Sequence, residues 1–157
     1  MKKILSLIVL LAVLTSCEED VKFNNPAVQG LKDNELWKAT EFTAVKGTDN
    51  SLTVSATNGF ETITLKTQSI DPGVYTFGVG NTSKASYTLF VDDIDMSYTA
   101  GAGIGDGQIT ISADPRETNV AAGYVTGKFY FNAEDEDGNV VNFQQGVFFR
   151  VPITAAP

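Results

Sequence analysis

The chain has 157 residues, with 19 Asp and Glu against 11 Lys and Arg for a formal net charge of −8, and it contains no His, one Cys and one Trp. Without His there is no imidazole base, no Ser-His-Asp or Cys-His nucleophile and no His-ligated metal. One Cys excludes an internal disulfide and a CxxC-type zinc site, and an acidic chain lacks the basic footprint that holds phosphate backbones. Nucleic acid is therefore not an expected partner, and no cofactor is expected.

Lys2 and Lys3 open the chain, and Ile4 to Leu14 follow without a charge, interrupted only by Ser6. Such a run suits the apolar core of a signal peptide and is too short to span a bilayer as a helix. It ends in Leu14-Thr15-Ser16-Cys17, which resembles the bacterial lipobox, and Cys17 is the only Cys of the chain. The resemblance implies a diacylglycerol on the Cys17 thiol, cleavage just before it, and a membrane partner reached through acyl chains. Each buried CH₂ of such a chain contributes about 0.8 kcal/mol, so two or more chains make a lasting anchor.

Loss of residues 1–16 removes Lys2 and Lys3 and no acid, taking the formal charge from −8 to −10. Glu18, Glu19 and Asp20 follow the lipidated Cys at once. This triplet is similar to the acidic export tag of Bacteroidota-type lipoproteins, which implies the outer membrane and its cell-surface face. The organisation expected is a signal peptide over 1–16, a lipidated acidic tether over 17–27, and one β domain over 28–157. The tether residues from Cys17 to Pro26 can extend about 30 Å.

In the body the hydrophobic period is two. Asp33-Asn34 predicts a turn, and Leu36 to Val45 a strand. Leu52, Val54 and Ala56 alternate with polar residues, then Asn58-Gly59 signals a two-residue hairpin turn before Ile63 and Leu65. That turn pairs Val54 with Ile63 and Leu52 with Leu65. Asp71-Pro72-Gly73 precedes Tyr75, Phe77 and Val79. Tyr87, Leu89 and Val91 alternate next, then Ile94, Met96 and Tyr98, then Ile109 and Ile111. The last pair sets Val125, Phe129 and Phe131 against Val141, Phe143, Val147, Phe149 and Val151, with Asp137-Gly138 in their connection and a bulge at Gln145-Gly146. The fold expected is all-β, an antiparallel β-sandwich of about eight strands.

Leu36-Trp37-Lys38-Ala39, Asp71-Pro72-Gly73-Val74-Tyr75, Val125 to Phe131 and Gly146 to Ile153 together resemble a family of uncharacterised Bacteroidota lipoproteins with a single β-rich domain. The resemblance implies fold and location and no activity.

Few constellations offer chemistry. Gly101, Gly103, Gly105 and Gly107 exit into Gln108-Ile109-Thr110-Ile111, a strand, where a phosphate cradle needs a helix; a hairpin loop is the reading. Acids cluster at Asp92, Asp93 and Asp95, and at Glu134, Asp135, Glu136 and Asp137. In the second cluster Asp135, Asp137 and Asn139 are the calcium candidates, although Ala133 stands where a first ligand belongs and no bidentate Glu follows, so solvated turn charge is the default. A glycoside-acting enzyme would need two buried carboxylates facing each other, and Asp114 reads as a turn residue, so no enzyme is expected. The function expected is a non-catalytic binding or envelope-interaction module. A glycan-binding version requires aromatics among Trp37, Tyr75, Tyr87, Tyr98, Tyr124 and Tyr130 exposed along one sheet face, whereas Trp37 reads as core. An envelope-protein version requires an apolar patch or an open strand edge.

Overall fold

The computed structural model describes residues 27–92 and 94–155. The signal peptide, Cys17, the Glu18-Glu19-Asp20 triplet and Asp93 lie outside the described residues. Eleven strands and no helix occur among the rest: β1 (Val28–Lys32), β2 (Glu35–Lys38), β3 (Glu41–Lys46), β4 (Leu52–Thr57), β5 (Glu61–Thr67), β6 (Gly73–Thr76), β7 (Lys84–Val91), β8 (Ile94–Ala100), β9 (Asp106–Ile111), β10 (Tyr124–Glu134) and β11 (Val140–Ala155). They form one sheet in the order β2-β1-β11-β3-β4-β5-β7-β8-β10-β9-β6, which the additional β10–β11 pairing closes on itself. The chain is all-β as expected, but the sandwich of about eight strands gives way to eleven strands in one continuous sheet.

The length of β10 and β11 explains the closure. One edge of β11 pairs with β1 from Phe143 to Phe148 and then, in parallel, with β3 at Ile153 to Ala155. The far edge of β10 pairs with β9 from Gly127 to Asn132 and with β8 at a single position, Glu134 opposite Thr99. The ring β11-β3-β4-β5-β7-β8-β10 is thus complete, and β1-β2 and β9-β6 extend from it as wings. Parallel pairing of β3 with β11 is a departure from the all-antiparallel expectation.

Two predicted elements split at the corners this creates. The expected strand Leu36 to Val45 breaks at Ala39-Thr40, where the Ala39 N–H bonds Val28 O at 3.0 Å on the wing and the Thr40 N–H bonds Thr57 O at 2.8 Å in the ring. The glycine run does close a tight turn, with Gly101 and Ile104 exchanging both backbone bonds (2.7 and 3.1 Å), but the strands it joins do not pair with each other. β8 and β9 lie in line on the same edge of β10, and Gly101 to Gly105 are an excursion between them. At Gly105, φ is 56° and a Cβ would collide with the Asn132 carbonyl, so the glycine permits a close approach of two backbones.

The Asn58-Gly59 turn is real but longer than expected. Val54 pairs with Leu65 and Ala56 with Ile63. Asn58 is the reason: its Oδ1 accepts the N–H groups of Phe60 (3.1 Å) and Glu61 (2.8 Å), making an Asx turn that takes up two more residues. A shift of two leaves the parity intact, so the same side chains face the core. The two-residue turn at Asp33-Asn34 holds as read, with φ positive at both positions (50° and 68°) and Lys32 opposite Glu35.

β11 carries two bulges. Between the pairs Phe131–Phe143 and Phe129–Gly146, and again between Gly127–Phe148 and Val125–Val151, one residue of β10 faces two of β11. Gln145 (φ 51°) and Arg150 (φ 47°) are the extra residues. The first bulge reverses the inside-outside alternation and the second restores it. Hence Phe148 is buried, whereas the expected Val147 and Phe149 are half-buried. Inside, Gly and Phe alternate across the strands: Phe129 faces Gly146 and Phe148 faces Gly127. A Cβ on Gly146 would stand 2.5 Å from the Phe129 ring, and one on Gly127 would collide with the Phe148 ring. The core spans the ring, with Phe143 within aromatic contact of Tyr87 (centroids 5.7 Å), Phe131 (4.8 Å) and Trp37 (5.8 Å, edge-on).

The turns at Asp33-Asn34, Asn58–Phe60, Asp92 and Asp135–Asn139 gather at one end. The Asp33 N–H bonds Asn142 O at 2.9 Å, and the Phe90 N–H bonds Phe60 O at 2.9 Å. The chain enters the described region at the opposite end, where Ala27 O accepts the Phe149 N–H at 2.7 Å.

Candidate functional site

The β7–β8 hairpin runs past the ring. Its paired inner-face residues are Ala85–Ala100, Tyr87–Tyr98, Leu89–Met96 and Val91–Ile94. The first two pairs are buried, but Met96 is 37% exposed and Ile94 55%, so a core ladder continues into solvent with nothing described covering it. On the other face Phe90 (63% exposed) lies beside Phe60 (65%) at the β4–β5 turn, joined through the backbone bond just described. Large apolar side chains grouped in this way mark a contact surface more often than chance exposure does. Neither Phe60 nor Phe90 follows from alternation. The signal available was Leu89-Phe90-Val91, three apolar residues in succession, which puts Phe90 on a face otherwise polar.

The same hairpin has an open edge. β8 pairs with β7 along its whole length, while its other edge meets β10 only at Thr99. Between that edge and the β10–β11 turn is a recess of about 360 Å³ lined by Asp95, Met96, Ser97, Asp135, Glu136 and Asp137. One acid of the first cluster, Asp95, thus meets three of the second, Asp135, Glu136 and Asp137, across one recess.

The calcium candidates are arranged as a turn. Asp135 Oδ1 accepts the N–H groups of Asp137 (3.0 Å) and Asn139 (2.8 Å), and its Oδ2 accepts the Asn139 side-chain amide at 2.8 Å. The Asn139 amide foremost, with the backbone donors, holds the Asp135 carboxyl below its ordinary value. Both oxygens are thereby occupied by the loop itself. Asp137 and Asn139 sit exposed in that loop. Among the described residues no group of three or more acids converges as metal ligands would. Asp114 likewise holds a turn, accepting the Arg116 N–H at 2.9 Å and its guanidinium Nη2 at 2.6 Å.

One polar cluster ties β1 to β5 and β7. Glu61 Oε1 accepts from Lys32 Nζ and from Tyr87 Oη (2.6 Å), Oε2 accepts from Asn58 Nδ2 (2.6 Å), and Lys32 also reaches Tyr87 Oη at 3.2 Å. Burial pushes the Tyr87 phenol up, and with the Glu61 bond it reaches about 12. Burial acts against the charge on Glu61 and on Lys32, but their mutual bonds win, leaving Glu61 below and Lys32 above its ordinary value. With three partners this carboxylate ties the three strands together.

The aromatics do not form a platform. Trp37, Tyr87 and Tyr98 are buried, Tyr75 Oη bonds Asp71 O at 2.6 Å, and Tyr124 lies beneath the Arg150 guanidinium at 4.3 Å. Tyr130 is exposed on the outer face of β10. It shares a shallow groove of about 640 Å³ with Gln108, Thr110, Lys128, Gln144 and Gln145, the two consecutive glutamines both turned outward by the first bulge.

Residues 1–17 match the prokaryotic membrane lipoprotein lipid attachment site, a match that ends on Cys17 and identifies a lipid-anchored, membrane-associated lipoprotein. No curated protein and no solved structure matches the chain. A model of the domain of unknown function DUF6252 matches residues 24–152, covering every strand from β1 to all but the last residues of β11. The chain therefore belongs to the DUF6252 family.

Proposed function

We propose that this lipoprotein is a non-catalytic module of the outer membrane, displayed at the cell surface, that binds another envelope protein through its hairpin-tip end. The observation that carries this reading is the uncovered continuation of the core ladder, Leu89–Met96 and Val91–Ile94, with Phe60 and Phe90 on the reverse face. Burying a whole side chain of this kind contributes about 1.5–3 kcal/mol, and the share still exposed on each is the driving force left to a partner. The described chain enters at the opposite end, so the tips are the part farthest along the strands from residue 27. The acidic triplet Glu18-Glu19-Asp20 supports the surface location.

A second reading, glycan binding, is favoured by one observation: the groove in which Tyr130 offers a ring face beside the amides of Gln144 and Gln145. A single exposed ring is a small stacking surface, which ranks this reading behind protein contact.

The test is made in a native type of host. The mature N-terminal peptide is expected to be acylated and to begin at Cys17, and protease added to intact cells is expected to remove the domain. A photo-crosslinking residue at Ile94 is expected to give one discrete adduct, and the same residue at Thr110 none. Protection from protease would move the partner to the periplasm, and adducts at Thr110 alone would favour the groove.

A further inference from the structure

We infer that the open edge of β8 from Ile94 to Ser97 is a strand-addition site for an extended, basic and aliphatic segment of the partner protein, an inference that rests on the proposed contact through this end. A strand edge left unpaired presents N–H and C=O groups that a second chain can complete, and the side chains beside it select which chain does so. β8 meets that description: β7 covers one edge throughout, and β10 leaves the other at Thr99.

Geometry and charge then specify the occupant. The recess beside the edge is bounded on the far side by the β10–β11 turn, so an added strand would lie between two walls and not on a flat rim. Asp95, Glu136 and Asp137 are exposed there, and no Lys or Arg lines the recess. Ile94 and Met96 point to one face of the sheet and Asp95 and Ser97 to the other. Because side chains alternate along a strand, the complementary segment alternates too, aliphatic residues beside Ile94 and Met96 and basic ones beside Asp95. The other two open edges differ. β2 carries Glu35 and Lys38 and shares its recess with Lys32 and Glu61, which are bonded to each other, and β6 is a four-residue strand with exposed Val74 and Thr76.

The probe is a blocked octapeptide of alternating Lys and Val, added to the full mature lipoprotein in nanodiscs of uncharged lipid, with empty nanodiscs as control. Binding is read by calorimetry, and the site by amide hydrogen exchange. Phe90 bonds to Phe60, so Ile94 and Met96 bond to β7 and the Asp95 and Ser97 amides face the open edge; the expected result is protection of those two, with no new protection at Glu35–Lys38 or Gly73–Thr76. A peptide N-methylated on alternate residues keeps the charge and loses the edge, and is expected to bind about tenfold or more weakly. The double variant Asp95→Lys, Glu136→Lys changes only exposed side chains; it is expected to lose the Lys-Val peptide and gain the Glu-Val one. Equal binding of the N-methylated peptide, or protection at another edge, overturns strand addition. Adducts at Ile94 in cells without peptide binding overturn strand addition alone, whereas absence of those adducts overturns the protein-contact reading.

Discussion

The ring of Phe129 covers Gly146 across the β10–β11 ladder, and the ring of Phe148 covers Gly127 in the reciprocal position. Each glycine makes room for the phenyl group opposite, so four residues form one packed block at the centre of the two longest strands. Filling that room is expected to be costly. Gly146→Ala and Gly127→Ala should each destabilise by about 1–3 kcal/mol through overpacking. Urea unfolding checks this, and Phe129→Leu combined with Gly146→Ala should recover part of the loss, a coupling that a double-mutant cycle reads directly.

The bulge at Gln145 takes up one residue between Phe143 and Phe148, so that both face inside. Deleting Gln145 removes the extra residue and leaves Tyr130 opposite Gln144 and Phe129 opposite Gly146, so Phe148 should stay inside and the domain is expected to fold with the bulge straightened. Gln145→Gly keeps the residue count and suits the φ of 51°, so its stability should stay within about 1 kcal/mol of the parent. Circular dichroism and thermal melts check that both variants keep the fold; loss of folding in the deletion would mean that the bulge itself is required.

Stability should be flat from about pH 5 to 9, because the chain has no His to titrate there. On the acid side, Glu61 lies below its ordinary 4.5 in the folded state, so its contribution is present above that value and is lost as pH falls through the lowered one. On the alkaline side, Lys32 lies above its ordinary 10.5, and its contribution is lost as pH rises through the raised value. Tyr87 acts in the same direction: unfolded tyrosine ionises near 10.0 while Tyr87 keeps its proton to about 12, so stability falls over that interval. Glu61→Gln should cost about 1–2 kcal/mol at neutral pH, less than a fully enclosed pair, and should flatten both limbs. Urea midpoints measured from pH 3 to 11 test the shape.

Substitutions at the hairpin tips should separate binding from stability. Ile94→Ser and Phe90→Ser remove exposed groups and should leave the unfolding free energy within about 0.5 kcal/mol of the parent. Phe143→Ala, at the meeting point of four aromatic contacts, should cost about 3–5 kcal/mol. The tip variants should also bind less of a dye that reports exposed apolar surface. A large stability loss at Ile94 would mean that this side chain belongs to the core.

Much of this was legible in the residues. Alternation in β4, β5, β9 and the first half of β10 assigned inner and outer faces correctly, because period two survives even when the register moves by two at Asn58. Gln145-Gly146 announced its bulge through the break it makes in an apolar row. Arg150 did not, since the second bulge restores the parity and leaves no mismatch in the pattern. β1 was missed because Val28-Gln29-Gly30-Leu31-Lys32 is short and interrupted by a glycine, and its strand character comes from β11 alongside. Closure was also invisible. It depends on two long strands each serving three neighbours, a property of length and contact that no local window contains. At the candidate site the acids were visible but not their meeting, which the Glu134–Thr99 pair brings about.

The entry of the chain has a mechanical consequence. β1 receives the segment that leads to the lipid, runs from Ala27 towards the tips, and is bonded along its length to β11. When force is applied between the tips and residue 27, the tension acts along the strand axes. The β1–β11 bonds are then sheared together and not unzipped one after another, and the Lys32–Glu61 tie at the far end of β1 shares the strain. The domain is therefore built to resist a force directed along β1 from residue 27 to the tips, and pulling it in an optical trap from residue 27 and the Asp135–Asn139 turn should require more force than peeling it from residues 27 and 155.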